Sequence, residues 1–288
     1  MPTGPRLRRS MMITPGHRRE RLEKAAKLAA DSLIFDLEDG VPPDRKAEAR
    51  AVITAVLGHV DFGRRERAVR INAVGTADFA ADMAGLPWDL IDAVLVPKVE
   101  SAAALEKLDA RLFRVAPGRD IGVIPTLETP RGVLNALAIA DASPNLIGMF
   151  FGPGDYTLQT GGALTARGLE FPRATIAAAC GAVGIQAIDA PYLAGLRDVA
   201  GTHADALAAR ELGFSGKVVF HPDQIAPVNA AFTPDAAEVA RARRFVAGYR
   251  DAVARGEAVA LVDGEFIAMD LVPRMERIIA LAEAAARI

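Results

Sequence analysis

The sequence predicts a (β/α)8 barrel with a carboxy-terminal extension, and three observations carry that reading. Short apolar runs alternate with Ala-rich helical patterns along most of the chain. Eight of those runs read as strands, and alternation at this spacing implies parallel pairing through right-handed crossovers. No Gly-x-Gly-x-x-Gly follows the first run, which removes the main argument for the rival, a doubly wound open sheet.

The strands are expected at residues 9–14, 32–37, 68–72, 93–97, 122–127, 146–151, 185–188 and 217–220. Between them, residues 18–30, 44–57, 102–108, 131–140, 174–183 and 204–212 carry helical patterns. These units fit a barrel domain over residues 1–224, close to the length of about 250 residues such barrels use. The pattern then changes. Residues 236–254 read as an amphipathic helix, and Asp263-Gly264 joins two short apolar runs as a hairpin turn. A last helix is expected from Pro273 to about Ala286. Residues 225–288 follow the eighth strand and cannot extend the barrel, so they are expected to pack over it or over a neighbouring subunit.

Composition narrows the function. The formal net charge is −2 over 288 residues, which gives no argument for nucleic acid. No run approaches the roughly 20 apolar residues of a membrane span. Cys180 is the single cysteine, so an internal disulfide and a Cys-based zinc site are excluded. One thiol and no export signal lead to the expectation of a cytoplasmic protein. Ala, Val, Leu and Ile do most of the packing while aromatics make up 6%, which suits a helix-covered parallel sheet.

The chemistry is expected at the carboxyl ends of the strands, the face where such barrels carry their active sites. The second strand ends in Asp36-Leu37-Glu38-Asp39-Gly40, three carboxylates that packing alone does not justify, because unpaired buried carboxylates are costly. Asp39, at the loop edge, is the freest of them to reach a cleft. Glu128 ends the fifth strand, and Asp155 follows the sixth in Gly152-Pro153-Gly154-Asp155. Adjacent strands lie about 5 Å apart, so Glu128 and Asp155 can grip one ion. Mg²⁺ suits them, because it takes one or two carboxylates and leaves its other positions to water and substrate. A helix cap for Asp155 and a surface ion pair for Glu128 are the competing readings.

Arg70, inside Ala68-Val69-Arg70-Ile71-Asn72, is a natural bidentate clamp for a substrate carboxylate; the alternative is a pair with a barrel acid such as Asp39. Lys98 is read as a structural partner for Glu128 in preference to a Schiff-base lysine. His221, ahead of Pro222, is read as holding a loop. The early basic residues Arg6, Arg8, Arg9, His17, Arg18 and Arg19 form either a solvated start or a rim that meets phosphates. A strand positions Arg9, which makes it the candidate substrate contact among them.

These residues, taken together, resemble the citrate lyase β-subunit-like enzymes of the HpcH/HpaI aldolase superfamily, which include malyl-CoA and citramalyl-CoA lyases. The resemblance runs through Arg9-Ser10, Pro15-Gly16, Asp36-Leu37-Glu38-Asp39-Gly40-Val41, Val69-Arg70-Ile71-Asn72, Pro97-Lys98, Leu127-Glu128-Thr129 and the stretches 152–155 and 213–224, in the family's order. It implies a barrel with Mg²⁺ on Glu128 and Asp155, Asp39 beside the metal, and Arg70, Pro153 and Gly154 on the substrate. It also implies reversible cleavage of a short 3-hydroxyacyl thioester, of coenzyme A or a carrier protein, into a 2-oxo acid and an acyl thioester. A homotrimer or hexamer is implied too. One departure stands out. Many members carry an Asp after the tail turn, and here Gly264-Glu265-Phe266-Ile267-Ala268 puts Ala268 in that place, with Asp270 two residues on. An Ala cannot move a proton, which counts against thioester hydrolysis. An aldolase on free 2-oxo acids, or a member with altered or lost activity, remains the alternative.

Overall fold

The computed structural model describes residues 6–287. Eight parallel strands close into a barrel in sequence order: β1 (Ser10–Pro15), β2 (Ser32–Asp36), β3 (Glu66–Arg70), β4 (Ala93–Val96), β5 (Gly122–Leu127), β6 (Gly148–Phe151), β7 (Gln186–Asp189) and β8 (Gly216–Val219). Closure is made by β1 on β8, where Ser10, Met11 and Met12 pair with Lys217, Val218 and Val219. The barrel predicted from the alternation is therefore the one observed. Its lumen is filled by inward side chains of alternating positions, among them Met11, Ile13, Ile34, Leu95, Ile124, Phe150, Ile188 and Val218. These buried apolar side chains make the barrel a packed core with no pore, and leave its carboxyl end as the place where polar groups converge.

The amino end of the barrel is tied by ion pairs that join the start of β1 to the starts of β2 and β3. Arg8 donates to Glu66 at 2.8 and 2.6 Å, and Arg9 donates to Asp31 at 2.8 Å through both Nε and Nη2. Both arginines are buried. Bidentate pairs of this kind add directional hydrogen bonds to the charge attraction.

The helices differ from expectation where local chemistry interrupts the pattern. Residues 131–140 form two short helices, Pro130–Leu134 and Ala136–Ala140, because Asn135 breaks the turn at ψ 10° and its side chain donates to the Glu100 carbonyl at 2.8 Å. The helix before β7 is longer than expected, Ala166–Val183, and includes Pro172. Helix Pro153–Thr160, directly after β6, places Asp155 in its first turn.

The chain divides into two compact units, one of residues 8–229 and one that comprises residues 230–287 together with Arg6 and Leu7. In it, helix Ala236–Ala254 starts from a capping box in which Asp235 and Glu238 each accept the other's amide. Strands β9 (Val259–Val262) and β10 (Glu265–Ala268) pair antiparallel about Asp263-Gly264, whose φ values of 52° and 78° are what a two-residue hairpin turn requires. Helix Val272–Ala285 ends the unit. Its core is Phe245, Val246, Ala260, Ile267 and Met275 with small neighbours. No helix among the described residues is long and apolar enough to cross a membrane.

Candidate active site

The carboxyl ends of β2 to β6 bring together Glu38, Arg70, Lys98, Glu128 and Asp155. Strand β2 ends at Asp36, which is fully buried and accepts four hydrogen bonds. Arg70 Nε and Nη2 each donate to it at 2.7 Å, and the amides of Glu38 and Gly40 donate at 2.8 and 2.9 Å. Asp36 and Arg70 are register partners across β2 and β3, so the pairing follows from the ladder itself. Gly40 is needed for that close approach: a Cβ there would lie 2.3 Å from Asp36 Oδ2. Lys46 supports the turn from behind, donating to the carbonyls of Leu37 and Glu38 at 2.6 and 2.8 Å.

The Arg70 guanidinium reaches a second acid. Its Nη1 lies 3.1 Å from Glu38 Oε2. Burial works against the guanidinium charge, but hydrogen bonds to Asp36 and the nearby acids outweigh it and raise its pKa. Glu38 is buried in turn, and that burial pushes its carboxyl up against the pull of Arg70. Asp39, the residue picked from the motif, is exposed at the loop edge; its amide donates to Glu38 at 2.9 Å.

Glu128 follows β5 and is buried; its Oε1 accepts the Lys98 amide at 2.7 Å. Its carboxyl is pushed up to about 7 by burial first, with Glu38 and Asp155 adding repulsion that the Lys98 amide only partly offsets. Lys98 Nζ sits 3.4 Å from Glu38 and 3.8 Å from Asp155. Burial favours the neutral amine, but Glu38, Asp39 and Asp155 hold its pKa above the ordinary value. Pro153 is buried at the start of its helix, while Gly154 is exposed and faces open space. Gly152 packs flat on Glu128, where a Cβ would meet Glu128 Cβ at 2.5 Å.

Among the described residues, no group of three His, Cys, Asp or Glu side chains forms a ready cage for a metal ion. The acids present still suit a hard dication. Glu128 and Asp155 offer oxygen donors only, and Glu128 is a buried carboxyl with the acids Glu38 and Asp155 close enough to repel it. A cation that keeps most of its water needs no more than two such carboxylates.

The other sequence candidates lie elsewhere. The structure does not bring Arg9 to this cluster: it sits at the amino end of β1, held by Asp31. Asn72 turns to Asp82. Asp189, at the end of β7 and outside those candidates, is buried with Arg173 and Lys217. His221 caps the turn Pro222–Gln224, accepting the Asp223 amide at 3.2 Å, the loop-holding role expected of it. Reading the sequence singled out Asp39 and missed the placements of Asp36 and Glu38, although the pairing of β2 with β3 was the signal that joins Asp36 to Arg70.

Comparison with known proteins agrees with this arrangement. The HpcH/HpaI aldolase/citrate lyase family profile matches residues 9–222. A (3S)-malyl-CoA thioesterase of Cereibacter sphaeroides is 37% identical over 280 residues, covering 96% of this chain and 95% of that protein. An L-malyl-CoA/beta-methylmalyl-CoA lyase of Rhodobacter capsulatus is 33% identical over 99% of this chain and 97% of its own length. The crystal structure of protein CitE from Mycobacterium tuberculosis, in complex with magnesium, acetoacetate and coenzyme A, superimposes with a TM-score of 0.76 at 33% identity, covering 97% of this chain and 98% of that one. With the barrel closed in sequence order and the acids gathered at its carboxyl end, the chain belongs to the HpcH/HpaI aldolase/citrate lyase family.

Proposed function

We propose that the protein is a Mg²⁺-dependent carbon–carbon lyase that cleaves a short 3-hydroxyacyl-CoA of the malyl or citramalyl type into a 2-oxo acid and an acyl-CoA. The observation that carries this reading is the convergence of Glu38, Glu128 and Asp155 on Arg70 and Lys98 at the carboxyl end of the barrel. Glu128 and Asp155 would hold the cation. Bound there, it supplies Lewis-acid stabilisation of the negative charge that develops on oxygen as the C–C bond breaks.

The chain's own residues do the rest. Cleavage removes the proton of the 3-hydroxyl, forms the carbonyl of the 2-oxo acid, and leaves an electron pair on the thioester α-carbon that a proton then takes up. Arg70 is held rigid by Asp36, and the N–H bonds of Nη1 and Nη2 given to neither Asp36 nor Glu38 bind the carboxylate of the departing 2-oxo acid. Gly154 leaves open space for that group to approach. Asp39 stands at the mouth of the site, where water can link it to the cation. The relatives that act on malyl-CoA support a CoA thioester as substrate. A homotrimer or hexamer goes with this reading.

Thioester hydrolysis is the second reading, favoured by the 37% identity to a malyl-CoA thioesterase. Ala268, at the end of β10, argues the other way, since it offers no proton-transferring group. One assay separates the readings: malyl-CoA and citramalyl-CoA are supplied with Mg²⁺ or with excess chelator, and glyoxylate, pyruvate and free malate are followed together. Metal-dependent oxo-acid release supports the lyase; malate without glyoxylate supports the hydrolase; oxo-acid release that survives chelation refutes the metal.

A further inference from the structure

Lys98 is one of two non-glycine residues with positive φ among those described, and the other, Asp263, belongs to the hairpin turn. Its φ of 56° lies at the carboxyl end of β4, where no tight turn calls for it. A side chain with a Cβ stays in the left-handed region only where its surroundings over-determine it, and such residues collect at functional sites. At the next residue Val99 returns to β5, its amide donating to the Thr126 carbonyl at 3.3 Å, so the excursion is confined to Pro97 and Lys98.

That excursion lets one residue touch three acids from three parts of the barrel. The Lys98 amide serves Glu128 at 2.7 Å, and its ammonium stands 3.4 Å from Glu38 and 3.8 Å from Asp155. The ammonium therefore occupies the same well of negative potential that a cation on Glu128 and Asp155 would use. Arg70 does not fill it, because its guanidinium is aligned on Asp36 with only Nη1 reaching Glu38. The Lys98 side chain is 44% exposed, so it has a path out to solvent.

We propose that Lys98 plays two separable parts in divalent-cation binding: its backbone N–H holds Glu128 in place for the ion, while its ammonium is a tethered competitor that the ion must displace from Asp155. This rests on the reading of Glu128 and Asp155 as the metal pair. The competitor keeps the acids from repelling one another when no ion is bound, and it weakens the grip on any ion that arrives. Only a charge denser than one ammonium wins the exchange.

The test is calorimetric titration of Mg²⁺ into the whole metal-stripped protein, without substrate, for wild type, Lys98→Met and Lys98→Gly. Methionine keeps the length and the backbone strain but removes the charge. Glycine removes both charge and strain and keeps the N–H to Glu128. Both variants are expected to bind Mg²⁺ about tenfold more tightly, since removing a unit charge about 4 Å from the site outweighs solvent screening at that range. Binding in wild type with equal or weaker binding in both variants overturns the role of Lys98 and leaves the metal pair standing. No binding in any of the three removes the metal pair itself, and the competitor with it. Circular dichroism of each variant confirms the fold, and the glycine variant decides the outcome if the methionine one does not fold.

Discussion

Replacing Glu128 with glutamine should stabilise the protein while removing its metal affinity, and the size of the effect follows from the site. Burial and the neighbouring acids raise the Glu128 carboxyl from 4.5 to about 7. One pK unit corresponds to about 1.4 kcal/mol, so holding Glu128 charged at pH 8 costs the folded state about 3 kcal/mol. Because the folded-state value lies above that of the unfolded chain, the stability is fully present below about pH 4.5 and is lost as pH rises through about 7. Glu128→Gln does not titrate, and its amide oxygen still accepts the Lys98 N–H. The melting temperature of the variant in excess chelator should match wild type near pH 4.5 and exceed it by about 6 °C at pH 8, at about 2 °C per kcal/mol for a chain of this size. Excess Mg²⁺ should then raise wild type and leave the variant unmoved, since only an ion that binds the folded state stabilises it. Differential scanning calorimetry at both pH values reads all of this. A variant less stable than wild type at pH 8 in chelator, or a gap that does not change with pH, would refute the account of Glu128.

Three further expectations come from the same structure. Gly152→Ala puts a Cβ 2.5 Å from Glu128 Cβ and 2.9 Å from Oε2; steady-state kinetics should show turnover reduced about a hundredfold, with an unchanged circular dichroism spectrum. Lys217→Met removes a fully buried ammonium that pairs with Asp189 and Asp205, and urea unfolding should show a loss of about 3–5 kcal/mol because Asp189 is left with Arg173 alone. Burial pushes the Cys180 thiol up to about 12, so a disulfide reagent at pH 8 should release no colour from native protein and one equivalent after denaturation.

The strands were legible because each is a buried run with the apolar period of a covered parallel sheet, and the hairpin because Asp263-Gly264 has one natural conformation. What the sequence hid is set by contacts between segments far apart in the chain. Arg70 was expected inside a strand that the structure ends at Arg70 itself, and its partner Asp36 becomes visible only once β2 and β3 are in register. Glu38 and Asp39 are neighbours of equal charge, and nothing local says that Glu38 turns in to Arg70 while Asp39 stays out. The first half of helix Ala166–Val183 escaped because Pro172 reads as a stop; the Thr165 side chain caps the helix start on the Gly168 amide, and the helix continues through the proline. Ala268 and the family departure it represents were visible from the start, because a missing acid in a known pattern needs no coordinates.

The ion pairs at the amino end of the barrel have a bearing on how this scaffold can change. Arg8 with Glu66 and Arg9 with Asp31 fasten the strand starts without using any loop from the opposite rim. The fastening of the strand starts and chemical specificity are thereby placed under separate control. Loops such as 190–198, which follow β7, can drift in length and side chain across generations while the staves of the barrel stay hooped from below. For a protein engineer the order of work follows: diversify the upper loops that lie outside residues 36–40, Lys98, Glu128 and residues 152–155, and leave Arg8, Arg9, Asp31 and Glu66 alone.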